Sequence, residues 1–273
     1  MSNNIDDLYQ LYLQSSGVTI DNRTIAGGEI FFGLPGEKVN GGKFAQEAID
    51  KGALCCVVND AQFVVNDKCM LVEDVLLCLQ QLAAKHRNSF DFPVLALTGS
   101  NGKTTTKELI AAVLSKKFNV TATKGNLNNH IGVPLTLLSI PRDCNFAVIE
   151  MGANHQHEIE GYCIYADPDF ALITNIGKAH LEGFGGEEGV LKGKSELFNY
   201  VKAKQGVLFI HSGENKLMHL FGDYHKTVRY GFDVNDNATG RIIKGDEFAT
   251  VEIVEEVIIH SHLVGDYNAN NII

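Results

Sequence analysis

A glycine-rich segment that carries a lysine and three consecutive threonines lies between an apolar run and a helical pattern. It begins TGSNGKTT over residues 98–105 and directly follows the apolar residues 94–97. Glycines let a backbone turn sharply and point successive N–H groups at an anion, and the N-terminus of the next helix favours negative charge. This pattern predicts a nucleotide site in which Lys103 contacts the β- and γ-phosphates and Thr104 binds Mg²⁺. The other candidate phosphate-binding residues are Gly99, Ser100, Asn101, Gly102 and Thr105.

This loop is shorter than the general phosphate-binding pattern G-x-x-x-x-G-K-[ST]. The first glycine of that pattern would fall at Leu97, so the segment reads G-x-x-G-K-T instead. A surface turn without a ligand is the alternative interpretation. The strand expected before the loop and the helix expected after it favour nucleotide binding.

Two further candidates follow apolar strands, at the end where open α/β sheets bind ligands. Glu150 comes after residues 146–149. A carboxylate there suits a Mg²⁺ ligand or a water-positioning group, or else a strand-end acid that a helix N-terminus satisfies. His180 comes after residues 170–174, where a lone histidine is either a structural hydrogen-bonding residue or a ligand.

A polar loop that is rich in side-chain amides spans residues 125–134 and includes Asn126, Asn128 and Asn129. Amides in a glycine-containing loop can recognise a polar substrate by hydrogen bonds. They can equally stabilise turns by bonding their own backbone. Because the segment has neither a strand nor a helix period, both interpretations stay open.

Further polar candidates lie before one predicted helix and within another. Asn154 and His155 precede a helix that follows Glu150, where they suit a substrate or a metal, with helix capping by Asn154 as the alternative. Lys192 and Lys194 lie within a later helical pattern. From the residues alone, both are interpreted as solvated helix lysines.

The elements that must position these residues alternate between strand and helix. Residues 1–90 are typical of a small α/β domain, with helices over 5–13, 44–51 and 75–86. The polar residues 86–93 end in a proline and mark its boundary. From residue 91 to residue 273 the alternation predicts a mostly parallel sheet, so the fold class is α/β.

Within this second part, residues 103–118 are expected to form a helix that directs Leu109, Val113 and Leu114 at the core. Alternation over residues 250–257 predicts antiparallel strands at the far side of the sheet. Residues 263–273 look like a loop followed by the first turn of a helix, and from them we expect a further domain to follow.

Composition favours a soluble cytoplasmic protein of about two domains. The 273 residues carry a formal net charge of −10, which argues against a nucleic-acid partner. No apolar run reaches the roughly 18–20 residues of a membrane span, and the first residues lack the features of a signal peptide, so we expect no membrane association. The 6 cysteines lie mostly in apolar stretches without metal-ligand spacing, which predicts buried thiols in a reducing compartment.

A series of motifs in fixed order resembles the Mur ligases of peptidoglycan synthesis, and the resemblance covers nearly the whole chain. The amide-rich loop and the Gly-Ala-Asn-His segment resemble in particular the member that joins D-Ala-D-Ala to UDP-MurNAc-tripeptide. The motifs occupy residues 98–105, 125–129, 150–155, 179–185, 194–198 and 263–271.

The resemblance implies a protein of three domains, of which this chain supplies the first two. These are a small N-terminal α/β UDP-sugar-binding domain over residues 1–90 and a mostly parallel phosphate-loop ATPase domain over residues 91–273. ATP and Mg²⁺ are the implied cofactors, and UDP-MurNAc-tripeptide and D-Ala-D-Ala are the implied substrates. The implied reaction converts the terminal carboxylate of the tripeptide into an acyl phosphate, which the amine of D-Ala-D-Ala then attacks. We expect a monomer, and we expect a chain without the third domain to be inactive.

The resemblance also implies roles for individual residues. Thr104 and Glu150 would hold one Mg²⁺, and His180 with a carbamylated Lys194 would hold a second. Lys103, His180 and Lys194 are the implied catalytic residues, and Asn268 and Asn271 would lie near the adenine. The implied substrate contacts are Asp21, Arg23, Thr24, Asn126, Asn128, Asn129 and His155. The chain departs from the family at Gly42 and Tyr267, each of which replaces a histidine.

Several alternatives remain. The nearest are another Mur ligase and a protein similar to folylpolyglutamate synthase, although the latter would place its phosphate loop closer to the N-terminus. A fragment that binds its ligands without turnover is a second class, and a general phosphate-loop ATPase or kinase is a third. Binding of UDP-MurNAc-tripeptide would distinguish the Mur ligase interpretation from the last.

Overall fold

The structure, a computed structural model, describes residues 4–178, 180–243, 247–253 and 257–273. It divides into two compact units: Met1–Asp91 with Pro134–Ile140, and Phe92–Val133 with Pro141–Ile273. The expected division after residue 90 differs in one segment, because Pro134–Ile140 packs with the first unit. There the Tyr12 hydroxyl donates a 2.7 Å hydrogen bond to the Leu138 carbonyl oxygen. A boundary drawn from local composition cannot detect such a contact, since its two partners are remote in sequence.

The first unit is built on a four-stranded sheet in which every strand is parallel to its neighbour. Its strands, in the order of the sheet, are β1 (Val18–Thr19), β2 (Ile30–Phe32), β3 (Cys55–Val58) and β4 (Cys69–Leu71). Its helices are α1 (Ile5–Tyr12), α2 (Ala45–Asp50) and α3 (Val75–Arg87), with 3₁₀ turns at Asn22–Thr24, Gly41–Phe44 and Ala61–Phe63. Each helix begins and ends within one residue of its prediction, and side-chain caps mark the starts of α1 and α3. At α3, for example, the Asp74 carboxylate accepts the Leu77 N–H at 3.0 Å.

Apolar residues and thiols fill the core of this unit. Phe31, Ala48, Cys56 and Val58 belong to one buried cluster between the sheet and α2. All six cysteines of the chain are free and buried, as the sequence predicted. Burial raises the pKa of the Cys78 thiol to about 11, so this side chain packs as a small apolar group and is not a reactive thiolate.

The second unit contains a nine-stranded sheet in the order β13-β12-β11-β10-β9-β8-β5-β7-β6. Its strands are β5 (Val94–Thr98), β6 (Val120–Ala122), β7 (Phe146–Glu150), β8 (Phe170–Ile173), β9 (Val207–His211), β10 (Thr227–Gly231), β11 (Ala238–Ile243), β12 (Phe248–Ile253) and β13 (Val257–Val264). The helices from α4 onward are α4 (Lys103–Leu114), α5 (Gly132–Leu138), α6 (Glu158–Ala166), α7 (Leu181–Phe184), α8 (Glu187–Ala203), α9 (Asn215–Met218) and α10 (Ala269–Ile272). Of these, α5 lies mostly in the first unit, which includes Pro134–Ile140. A 3₁₀ turn at Asp266–Asn268 precedes α10.

The register of this sheet brings three strand ends together. Strand β5 lies between β7 and β8, with Leu97 paired to Glu150 and Thr98 paired to Ile173. Every residue of β5 and β7 is buried, as expected for central parallel strands covered on both faces. The loops that leave β5, β7 and β8 therefore start side by side at one edge of the sheet.

The antiparallel region lies where the sequence predicted it. Strand β12 pairs antiparallel with both β11 and β13, while the sheet from β6 to β11 is parallel. Val254, Glu255 and Glu256, which belong to the predicted alternation, lie outside the described residues.

One predicted core position was wrong. Val113 was expected to face the core together with Leu109 and Leu114, but it is 71% exposed. Leu114 does pack against the core of the sheet, with Ile110 beside it. The buried positions of α4 are Thr106 and Lys107, near the site at its N-terminus. Within the described ranges, no helix is both long enough and apolar enough to cross a membrane.

Candidate functional site

The glycine loop between β5 and α4 has the backbone that a phosphate loop requires. Gly99 has φ +145° and Gly102 has φ +78°, conformations that other residues rarely adopt. A Cβ atom at Gly99 would collide with the Thr174 hydroxyl, and one at Gly102 would collide with the Asn271 amide. Both glycines are therefore required here, and α4 begins directly after Gly102 with its N–H groups open to an anion.

The loop that leaves β8 holds the glycine loop in place. Asn175 accepts two backbone N–H groups, from Ser100 through its carbonyl oxygen and from Asn101 through its side chain, each at 3.0 Å. The Thr174 hydroxyl donates to the Asn101 carbonyl oxygen at 2.6 Å. Thr174 and Asn175 were missed as positioning residues, although their place at a strand end beside the loop was a usable signal.

Lys103 lies across the loop that precedes it. Its ammonium donates to the carbonyl oxygens of Gly99 at 2.8 Å and Ser100 at 3.3 Å. Burial lowers the pKa of this lysine, and the negative charge of Glu150 opposes that effect. The ammonium is thus held at the glycine loop. The loop therefore offers a phosphate both a positive charge and N–H donors.

The side chains of Thr104 and Glu150 meet at the N-terminus of α4, and their binding of a metal stays a prediction. The Thr104 hydroxyl lies 3.0 Å from one carboxylate oxygen of Glu150 and 3.2 Å from the other. Glu150 is 1% exposed, and the Asn128 amide donates to it at 2.8 Å. A hydroxyl and a carboxylate oxygen side by side are hard donors that fit Mg²⁺, which takes its other ligands from water and phosphate.

Two buried residues behind Glu150 were not recognised in the sequence. The Thr123 hydroxyl accepts the backbone N–H of Glu150 at 2.9 Å, and the Lys107 ammonium donates to the Thr123 carbonyl oxygen at 2.6 Å. Lys107 follows Thr104 by three positions and so lies on the same face of α4. That spacing after the predicted phosphate loop was the signal available in the sequence.

Lys194 is buried, so the interpretation as a solvated lysine is wrong for this residue. It is 1% exposed, donates to the Ala153 carbonyl oxygen at 3.2 Å, and lies 5.2 Å from the centre of the Phe184 ring. Burial, and then the charge of Lys103, lower the pKa of Lys194 to about 8, although two glutamates oppose this. Lys192 is solvated as predicted, because it lies on the outer face of α8 with an exposed side chain.

His180 lies at the start of α7 in a left-handed conformation, with φ +55°. It lines an open cleft of about 380 Å³. The other residues that line the cleft are Asn154, Lys178, Leu181, Glu182 and Gly183. Among the contacts of the described residues, none joins His180 to Glu150 or Lys194, so its metal-binding role stays a prediction. Ala179, the first residue of this motif, lies outside the described part of the chain.

Two asparagines of the amide-rich loop make different kinds of contact. Asn128 contacts Glu150, whereas Asn129 accepts the N–H groups of Ile131 at 3.1 Å and Gly132 at 2.8 Å at the start of α5. For Asn129 the structure therefore supports the interpretation as a turn and capping residue. The side chain of Asn126 is exposed. Contact of these amides with a substrate stays a prediction.

Capping of α6 by Asn154 was wrong. The capping position is His157, and the Glu158 carboxylate accepts the N–H groups of Asn154 at 2.6 Å and His155 at 3.1 Å. The chain before α6 folds back on the first turn of this helix. The Glu158 carboxylate of that turn therefore accepts hydrogen bonds from the backbone of the preceding loop. The imidazole of His155 is exposed, with Nδ1 3.5 Å from Glu158, and its substrate role stays a prediction.

One of the two C-terminal asparagines, Asn271, is close to the glycine loop, although it lies far from it in sequence. Asn271 donates to the Asn268 side chain at 2.8 Å, and its own oxygen lies 3.4 Å from the Thr106 hydroxyl. Asn271 also lies against Gly102. The structure thus brings Asn271 to the first turn of α4, and its role beside a nucleotide stays a prediction.

In the first unit, Asp21, Arg23 and Thr24 form a compact turn. The Arg23 guanidinium donates to both carboxylate oxygens of Asp21, at 2.8 and 2.6 Å, and these hydrogen bonds lower the pKa of Asp21 to about 2. The Thr24 hydroxyl donates to the Asp21 carbonyl oxygen at 2.9 Å. The guanidinium is exposed and is oriented by the bidentate pair.

Comparison with known proteins gives consistent matches over both units. Residues 97–273 match the Mur ligase middle domain, and residues 14–87 match the domain described as Mur ligase family, catalytic domain. The UDP-N-acetylmuramoyl-tripeptide--D-alanyl-D-alanine ligase of Bacillus subtilis is 39% identical over 220 residues, which cover 79% of this chain and 47% of that protein.

Solved structures agree with these matches. MurF from Acinetobacter baumannii superposes with a TM-score of 0.83 at 29% identity, covering 96% of this chain and 62% of that one. MurF ligase from Thermotoga maritima in complex with ADP gives a TM-score of 0.82 at 27% identity, covering 96% and 61%. The chain spans about half the length of the curated relatives that it matches.

Proposed function

The chain belongs to the Mur ligase family, and on that premise we propose that it binds ATP and UDP-MurNAc-tripeptide for the addition of D-Ala-D-Ala. The observation that carries the proposal is the pairing of Thr104 with the buried Glu150 beside a strained glycine loop and Lys103. The name of the Bacillus subtilis relative supports the choice of substrates.

In this proposal, Lys103 and the N–H groups of the glycine loop bind the phosphates of ATP. Thr104 and Glu150 would hold Mg²⁺, which would lower the repulsion between the phosphates and the incoming carboxylate. Two anions must meet in line, so the chain contributes by positioning and by neutralising charge. The carboxylate of the tripeptide attacks the γ-phosphate, ADP leaves, and the D-Ala-D-Ala amine then displaces phosphate from the acyl phosphate.

Lys194 is proposed to act as a carbamate. Its neutral amine adds to the carbon of CO₂ and loses one proton, which converts a buried cation into an anion. The burial and the nearby charge of Lys103 that lower the pKa of Lys194 to about 8 also raise the neutral fraction on which this reaction depends. The anion and His180 would hold a second Mg²⁺.

The remaining predicted residues would contact the ligands. Asp21, Arg23 and Thr24 are proposed to bind the UDP-MurNAc portion, because the turn presents an oriented and exposed guanidinium. The amide-rich loop and His155 are proposed to face the peptide, and Asn268 and Asn271 the adenine.

We also propose that the protein is a monomer in the cytoplasm.

Isothermal titration of the chain with UDP-MurNAc-tripeptide tests the proposal, with UDP-MurNAc-L-Ala as the control ligand. We expect binding that prefers the tripeptide by at least about tenfold, since every 1.4 kcal/mol of added contact is worth that factor. Equal binding of both ligands would contradict the assignment of the tripeptide. Absence of binding to a folded sample would contradict the role of the first unit.

A further inference from the structure

We propose that Lys107 is a positioning residue that serves as the counter-ion of Glu150 and makes Mg²⁺ binding depend on a nucleotide. The inference rests on the proposed function of the site. It concerns a residue that belongs to none of the predicted catalytic or binding sets, and it follows from where the structure buries charge.

Lys107 is fully buried, with a side chain that is 0% exposed. An ammonium that is removed from water needs both hydrogen-bond acceptors and a negative charge nearby. The Thr123 carbonyl oxygen is one acceptor, at 2.6 Å. The carboxylate of Glu150, itself 1% exposed, lies 3.9 Å away.

A second carboxylate, that of Glu108, lies closer to the ammonium, at 2.9 Å. Its side chain is 65% exposed, so water and salt screen its charge. The charge of Glu150 is buried and is screened much less. Glu150 is therefore the partner whose loss would matter, in spite of the longer distance.

Thr123 links the two charged groups. Its carbonyl oxygen accepts from Lys107, and its hydroxyl accepts the backbone N–H of Glu150 at 2.9 Å. The other side-chain donors to the Glu150 carboxylate, Thr104 and Asn128, are neutral. In the described part of the chain, Lys107 is the cation paired with Glu150 by distance.

This arrangement has a consequence for metal binding. The charge of Lys107 already neutralises that of the Glu150 carboxylate, and Lys103 adds a further positive charge at the glycine loop. Free Mg²⁺ is attracted only weakly to such a site, because little net negative charge is left there. Mg²⁺ that is bound to nucleotide phosphates brings negative charge with it, and this charge interacts favourably with the lysines and the loop N–H groups. Lys107 thus makes the site prefer the metal–nucleotide complex over the free metal.

A double-mutant cycle tests the proposal by thermal unfolding of the whole chain. Lys107→Gln keeps a donor for the Thr123 carbonyl oxygen but removes the charge, and Glu150→Gln removes the opposite charge. We expect each single variant to lower the unfolding midpoint by roughly 6–12 °C, and the double variant to lose less than half of the summed loss. A double variant that folds while either single variant does not gives the same support. A double variant whose loss equals the sum would overturn the proposal.

Metal added without nucleotide gives the second readout. Mg²⁺ alone should raise the midpoint of Lys107→Gln by several degrees and leave the wild-type chain and Lys107→Arg unchanged. An equal response of wild type and Lys107→Gln would overturn the proposal. Glu108→Gln is the matched control, because it removes the exposed partner and should behave like wild type.

The proposed function is tested separately by adding Mg²⁺ with ADP to the wild-type chain. A raised midpoint supports the nucleotide site. No shift there would refute the nucleotide site and, with it, the nucleotide dependence assigned to Lys107. The double-mutant cycle contains no ligand, so it measures the pairing of Lys107 with Glu150 independently.

Discussion

Replacing Lys194 by methionine should stabilise the fold near neutral pH. The structure buries this ammonium against a carbonyl oxygen and an aromatic ring, and in the described ranges it forms no ion pair with a carboxylate. Methionine is unbranched and apolar, so it can fill the same space without a charge. A residue kept for function at a cost in stability would behave in this way.

The magnitude follows from the pKa of Lys194. Burial first, and then the charge of Lys103, lower this pKa from 10.5 to about 8. The difference corresponds to about 3 kcal/mol against the charged form in the folded state. Loss of the cation–π contact with Phe184 offsets about 1 kcal/mol, and the unpaired Ala153 carbonyl oxygen offsets about 1 kcal/mol more. We therefore expect the methionine variant to gain about 1 kcal/mol in the free energy of unfolding.

The gain should depend on pH in a defined direction. Between pH 8 and 10.5 the unfolded chain binds a proton at Lys194 that the folded chain does not, so wild-type stability rises with pH. Below pH 8 the lysine is charged in both states, and the penalty is present in full. Methionine binds no proton, so its advantage should be largest near pH 7 and should shrink as the pH rises above about 8.

Urea denaturation followed by circular dichroism, in buffer free of CO₂, measures this difference. Lys192→Met is the matched control: its side chain is exposed on the same helix, so the change should stay within about 0.5 kcal/mol. A methionine variant at position 194 that is less stable than wild type near pH 7, or an advantage that does not change with pH, would refute the reasoning.

Three further predictions concern the ligands and the fold. In ¹³C-bicarbonate, wild type should give one carbamate signal in ¹³C NMR that Lys194→Arg removes and Lys192→Arg keeps; a signal that persists in Lys194→Arg would contradict the assignment. Gly99→Ala should lose nucleotide binding at least tenfold by titration, because a Cβ there collides with the Thr174 hydroxyl; unchanged affinity would argue against a rigid loop. Asn129→Ala should lower the free energy of unfolding in urea by about 1 kcal/mol, because it removes the cap of α5; no loss would contradict that capping role.

Much of the fold could be predicted because local signals agreed with the global arrangement. Buried strands such as β5 and β7 read as short apolar runs, and glycines marked the turns after them. The strand β10 (Thr227–Gly231) was missed, since only two of its residues are buried and its pattern gives no clear period. Segment 134–140 was placed in the wrong unit, because its contact with Tyr12 is remote in sequence.

The site residues could be predicted where a suitable side chain follows a glycine loop or a strand end. They could not be predicted where their burial depends on contacts that are remote in sequence. Thr104 and Glu150 follow a glycine loop and a strand end, and the structure brings them together. The burial of Lys194 could not be derived from helical spacing, because it depends on Phe184 packing over the helix. Lys107 and Thr123 were missed for a similar reason: their importance comes from the buried charge of Glu150, which no local pattern reveals.

Titration of the chain with Mg²⁺ and a non-hydrolysable ATP analogue, alongside Thr104→Val, tests the central claim most directly. The claim is that the Thr104–Glu150 pair holds the metal of a bound nucleotide. We predict that wild type binds the analogue and that removing Mg²⁺ weakens this binding at least tenfold. In Thr104→Val, removing Mg²⁺ should make little difference. Binding by wild type that is independent of Mg²⁺, or no binding by a folded sample, would contradict the claim.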